Sequence, residues 1–128
     1  MAFEFLRAEN DASPIEKEII ATNATTYKHG QLVAFDASTG TATAGSANPE
    51  FVYVGKDITA KTGDKLAVIP VLPEYEFETT FSTAATTLKV GAKVTVTNEQ
   101  ATATTTSGVF QLLTAGGASG AKVVGRFA

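Results

Sequence analysis

Apolar and polar residues alternate along several short stretches of the chain, most cleanly at Tyr75-Glu76-Phe77-Glu78. A period of two sends successive side chains to opposite faces of an extended strand. This pattern predicts strands at 16–21, 31–36, 51–57, 65–71, 75–81, 93–97, 108–113 and 121–127, each rich in β-branched or aromatic residues that suit a pleated surface. Stretches containing Gly and Ser, such as 37–46 and 114–120, separate them. No segment carries apolar residues at i, i+3, i+4 and i+7 over three turns, the mark of an amphipathic helix. The expectation is an all-β fold, a compact antiparallel β-sandwich or small barrel.

The first fourteen residues lack this order. Phe3, Phe5 and Leu6 precede a polar run that ends at Ser13-Pro14, with no periodicity over its length. Residues 1–14 therefore read as an extended N-terminal arm, and 15–128 as a single β domain. Two other readings stay open: a short helix, or a first strand in which Phe3 and Phe5 belong to the domain's own core.

A turn-strand unit recurs along the rest. Lys28-His29-Gly30-Gln31-Leu32-Val33-Ala34 resembles Lys61-Thr62-Gly63-Asp64-Lys65-Leu66-Ala67-Val68 and Lys89-Val90-Gly91-Ala92-Lys93-Val94-Thr95-Val96, and Gly120-Ala121-Lys122-Val123-Val124 repeats the core of the unit. Each reads as a turn whose glycine takes positive φ and feeds an alternating strand. Such pieces also recur by chance in antiparallel β proteins. Their glycines lie 33, 28 and 29 residues apart, so the varying interval indicates similar corners rather than a solenoid or propeller.

Composition narrows the chemistry. The chain has 128 residues, enough for one domain that buries roughly 65–70% of its unfolded surface. It has no Cys, which removes disulfides, thiolate zinc sites and thiol nucleophiles. A net charge of −3 with few Lys and Arg lacks the electrostatic footprint of nucleic-acid binding. No run of 18 apolar residues predicts a membrane span, and the Met-Ala-Phe-Glu-Phe start predicts no secretory leader. Charge is uneven: seven charged residues fall within 1–18 and three within 79–121. Twenty threonines make the chain Thr-rich.

Few residues offer catalysis. His29 is the one histidine, so a two-His metal site is impossible, and no GxSxG elbow supports a nucleophile beside it; it reads as an exposed turn residue. Glu74, Glu76 and Glu78 would share one strand face about 7 Å apart, suited to a weak calcium site, a carboxylate pair or simply a solvated face on an edge strand. Pro70 and Pro73 favour the edge. The glycines at 116, 117 and 120 have no GK[ST] after them and form no phosphate loop, and the Asn23-Ala24-Thr25 sequon reads as coincidence. The reading assigns no catalytic residue, metal or cofactor.

The order of motifs carries a family resemblance. It runs from the turn and strand at 28–35 through Phe51-Val52-Tyr53-Val54-Gly55, Thr62–Ile69, Val90-Gly91-Ala92-Lys93-Val94 and Gly108-Val109-Phe110 to a closing Val123-Val124-Gly125-Arg126-Phe127. Over residues 28–127 the chain resembles the small capsid decoration (cement) proteins of tailed bacteriophages and prophages. The resemblance implies a structural virion protein, made in the bacterial host cytoplasm, that binds the major capsid protein on the outer surface of the head and stabilises the shell, as a monomer or a homotrimer. It implies no catalysis and no cofactor. Phe3, Phe5 and Leu6 on a polar tether suit docking to a neighbour, and Glu74, Glu76 and Glu78 are a second candidate partner-binding surface. An alternative reading is an extracellular carbohydrate-binding or adhesion module that uses the Thr-rich strands with Tyr27, Tyr53 and Tyr75. A third is an enzyme built on the three glutamates.

Overall fold

A computed structural model describes residues 2–9 and 11–128. Thirteen strands and no helix occur among them: β1 (Glu4–Ala8), β2 (Lys17–Ile20), β3 (Thr26–Tyr27), β4 (Leu32–Val33), β5 (Phe35–Asp36), β6 (Thr41–Ala42), β7 (Phe51–Tyr53), β8 (Ile58–Thr59), β9 (Lys65–Pro70), β10 (Tyr75–Thr80), β11 (Lys93–Val94), β12 (Phe110–Leu112) and β13 (Lys122–Phe127). All eight stretches predicted from alternation contain a strand. The pairs β3–β8 and β5–β6 add small ribbons of two residues per strand, too short for a periodic signal.

Two antiparallel sheets face one another as a sandwich that is not closed into a barrel. The five-stranded sheet runs β1-β10-β13-β12-β11, and the four-stranded sheet runs β2-β9-β7-β4. Residues 17–70 build the second sheet, while the first joins the N-terminal strand to the C-terminal half of the chain.

The register explains which side chains fill the space between. In the four-stranded sheet Leu32, Val52 and Ile69 lie opposite one another across three strands and share one face. They pack against Phe77, Phe110, Leu112 and Val123 of the five-stranded sheet. The neighbouring positions, Val33, Phe51, Tyr53 and Val68, point the other way into a second cluster with Ile19, Tyr27 and Leu66. Its outer wall includes the small ribbons and loops around Ala21, Ala42 and Ala60. A sheet covered on both faces shows continuous burial instead of alternation, and β7 is buried at all three positions.

The recurring glycine units are real corners. Gly30, Gly63, Gly91 and Gly120 have φ of +79°, +88°, +97° and +82°. Each occupies the third position of a four-residue turn closed by a backbone bond, from Gln31, Asp64, Ala92 and Ala121 to the carbonyls of Lys28, Lys61, Lys89 and Ala118 at 3.0–3.1 Å. Left-handed φ at that position favours glycine because it has no Cβ to clash.

The N-terminal segment corrects the expected arm. Residues 4–8 form β1, which pairs antiparallel with β10, Phe5 opposite Phe77 and Ala8 opposite Tyr75, with a bulge between Phe5 and Arg7. Phe3 is 1% exposed and meets Phe110 and Phe127 at ring-centroid distances of 5.4 and 5.5 Å. Burying an aromatic ring of this size removes far more apolar surface from water than a free tether could, so the sheet takes up the segment. The bulge hides the strand from a search for period two, because it shifts the face of every residue after it. Residues 11–13 are exposed and lead from this sheet toward β2 in the other.

Candidate functional site

The six residues predicted to meet a partner are spread over different environments. Phe3 is in the core. Phe5 is half-buried and contacts Tyr75 and Phe77 edge-on, at 5.3 and 6.0 Å between ring centroids. Leu6, at the bulge, is 39% exposed. Of the aromatic pair, then, neither is presented as a plug, and Leu6 alone of the three faces solvent.

Glu74 leaves the face that alternation gives it. It sits in the exposed turn before β10, where its carbonyl accepts the Glu9 N–H at 3.0 Å. Glu76 and Glu78 do share the outer face of β10, but the strand is not an edge: β1 covers one side and β13 the other. Both neighbours bring cations to that face. Arg7 Nη1 donates to Glu76 Oε1 at 2.8 Å, and Lys122 Nζ lies 3.9 Å from Glu78 Oε1. Arg126 Nη1 lies 3.6 Å from Glu9 Oε1, and its Nε donates to Gln111 at 3.0 Å. The acidic row is thus interleaved with Arg and Lys, a face of mixed charge. Each exposed pair is worth about 0.2–1 kcal/mol. Among the described residues no group of three His, Asp or Glu is arranged to hold a metal ion.

His29 is more engaged than a plain turn residue. Its Nε2 lies 3.1 Å from both carboxylate oxygens of Glu4 on β1, and its Nδ1 lies 3.2 and 3.1 Å from the carbonyl oxygens of Val54 and Gly55. Its backbone N–H donates to Asp57 Oδ1 at 2.9 Å. The hydrogen bond to Glu4 raises the imidazole pKa above 6.5; desolvation opposes this and the carbonyls of Gly55 and Val54 add to it. No sequence signal pairs residue 4 with residue 29, since the contact exists only after β1 has docked. Elsewhere, Ser38 donates through its hydroxyl and N–H to Asp36 and lowers that carboxyl's pKa, the mark of a self-bonded turn.

Exposed apolar side chains are the remaining candidates for a docking surface. The large ones are Leu6, Ile15, Ile20, Phe35 and Val90, and three of the five fall within residues 6–20. Ile20 ends β2, which is an outer strand of its sheet. The rings of Tyr27, Tyr53 and Tyr75 are 0%, 3% and 4% exposed and offer no stacking platform. An open apolar cleft of about 340 Å³ lies between Pro49, Val71, Pro73, Val109 and Phe127.

No protein-family model matches the chain, and no curated protein matches it in sequence.

Proposed function

We propose that this chain is a capsid decoration protein, binding the major capsid protein on the outer surface of a tailed-bacteriophage head and stabilising the shell. The observation that supports the reading is the set of glycine corners at positive φ, each feeding a strand, of which Gly30, Gly63 and Gly91 lie in the motifs on which the family resemblance rests. A rigid β body of this kind suits repeated weak binding on a symmetric lattice, where many copies act together. Its candidate contacts are three exposed apolar side chains, Leu6 on the outer strand β1, Ile20 on the outer strand β2, and Ile15 in the segment that joins them. Assembly as a homotrimer on the shell belongs to the same proposal. The carbohydrate-module reading keeps its Thr-rich strands but loses its stacking rings, because Tyr27, Tyr53 and Tyr75 are core residues.

Sedimentation with heads assembled without the protein, from a phage that carries its gene, tests the proposal. Saturable co-sedimentation is expected, weakened at least tenfold by Ile15→Ser combined with Ile20→Ser. Protein left in the supernatant at every concentration rejects it.

A further inference from the structure

His29 is surrounded by acceptors. Every polar atom within hydrogen-bonding distance of its ring, among the described residues, is an oxygen without a proton to give: two carboxylate oxygens at Nε2 and two carbonyl oxygens at Nδ1. A neutral imidazole has one N–H and leaves its other nitrogen's lone pair facing such an oxygen; an imidazolium has two N–H groups and satisfies both sides. The partners come from different parts of the chain. Glu4 belongs to β1, and Val54 and Gly55 follow β7.

We propose that His29 is a pH-operated clasp on the N-terminal strand: protonated, it ties Glu4 to the loop after β7 and keeps β1 seated on β10; neutral, it releases that tie and lets β1 open at its edge. The charged groups around it agree. On β1 the next ionisable residue, Arg7, is engaged by Glu76. Across the ladder Glu4 stands opposite Glu78, a like-charge pair that disfavours the strand, and Glu78 has Lys122 as its nearest cation. Lys28 precedes His29 in the turn, and Lys56 and Asp57 lie in the loop, where Asp57 accepts the His29 N–H. Protonation of His29 therefore neutralises Glu4 at the position where β1 meets another carboxylate. The backbone bond from Phe3 N–H to Gly30 O at 3.0 Å places the clasp one residue from the strand's anchor in the core.

The sign follows from the direction of the shift. A histidine whose folded pKa lies above 6.5 contributes stability that is complete below 6.5 and is lost as pH rises through the folded value. The strand is most firmly held at mildly acid pH.

Because the chain has one histidine, its Cε1–H resonance reports the clasp without ambiguity. The expected midpoint lies above 6.5 in the wild-type chain and falls back toward 6.5 in Glu4→Gln. Amide exchange, corrected for its intrinsic pH dependence, is expected to lose protection several-fold across residues 4–8 as pH crosses the His29 midpoint, while residues 65–70 of β9 show no step. In His29→Gln the step in β1 disappears. A wild-type midpoint at or below 6.5, constant β1 protection through the midpoint, or an equal step in β9 overturns the proposal; these readouts need no variant to fold.

Discussion

The two cores on either side of the four-stranded sheet are closed in opposite ways. The one between the sheets is aromatic: Phe3, Phe77, Phe110 and Phe127 form a chain of tilted and edge-to-face rings with centroids 5.1–5.6 Å apart. Part of its wall comes from the far end of the chain, since Phe3 enters beside β1. Gly125 makes room for this packing, because a Cβ there would lie 2.6 Å from the Phe110 ring. The second core is walled by short ribbons and loops and is tied by hydroxyls. Tyr27 donates its hydroxyl to Ala42 O at 2.7 Å and accepts the Thr22 N–H at 2.9 Å, while the Thr22 hydroxyl also donates to Ala42 O. The lesson is that ring packing can seat a remote strand, whereas a wall of irregular backbone needs side-chain hydroxyls to satisfy the groups that no ladder pairs.

That contrast can be broken first at Phe3. Phe3→Ala removes the ring that bridges Phe110 and Phe127, and should cost about 3–5 kcal/mol of unfolding free energy in urea titration. A cost below about 1 kcal/mol would mean that the N-terminal segment contributes little to this core. Tyr27→Phe probes the other wall. It keeps the ring and orphans the Thr22 N–H, for about 1–2 kcal/mol, and a thermal shift to match should appear with no change in the aromatic near-ultraviolet signal of the first core. The smallest effect belongs to the outer face. Arg7→Ala breaks an exposed pair with Glu76 and should cost no more than about 1 kcal/mol, an amount that shrinks further in high salt.

Legibility followed local chemistry. Alternation located eight strand-bearing stretches, and glycine in a repeated context located four corners whose φ is positive, because both signals depend on residues within one or two peptide units. The acidic row at 76 and 78 was legible as one face for the same reason. Its cations were not: Arg7 is 69 residues from Glu76, and Lys122 lies 44 residues beyond Glu78, so only strand order brings them together. Pro70 and Pro73 pointed to an edge strand, yet the edge is β1, supplied from the other end of the chain.

The sequence by itself determined the all-β class, the strand-bearing segments, the glycine corners and the lack of thiol chemistry, since each depends on residue type or near neighbours. Tertiary structure alone decided that residues 3–8 are a strand and a core anchor instead of an arm, that the acidic strand is flanked on both sides, and that His29 faces four acceptors. Those outcomes depend on which distant segments share a sheet. Burial of Phe3 against the C-terminal aromatics outweighs the weak local preference of an irregular, bulged segment, and the local pattern carries no record of that contact.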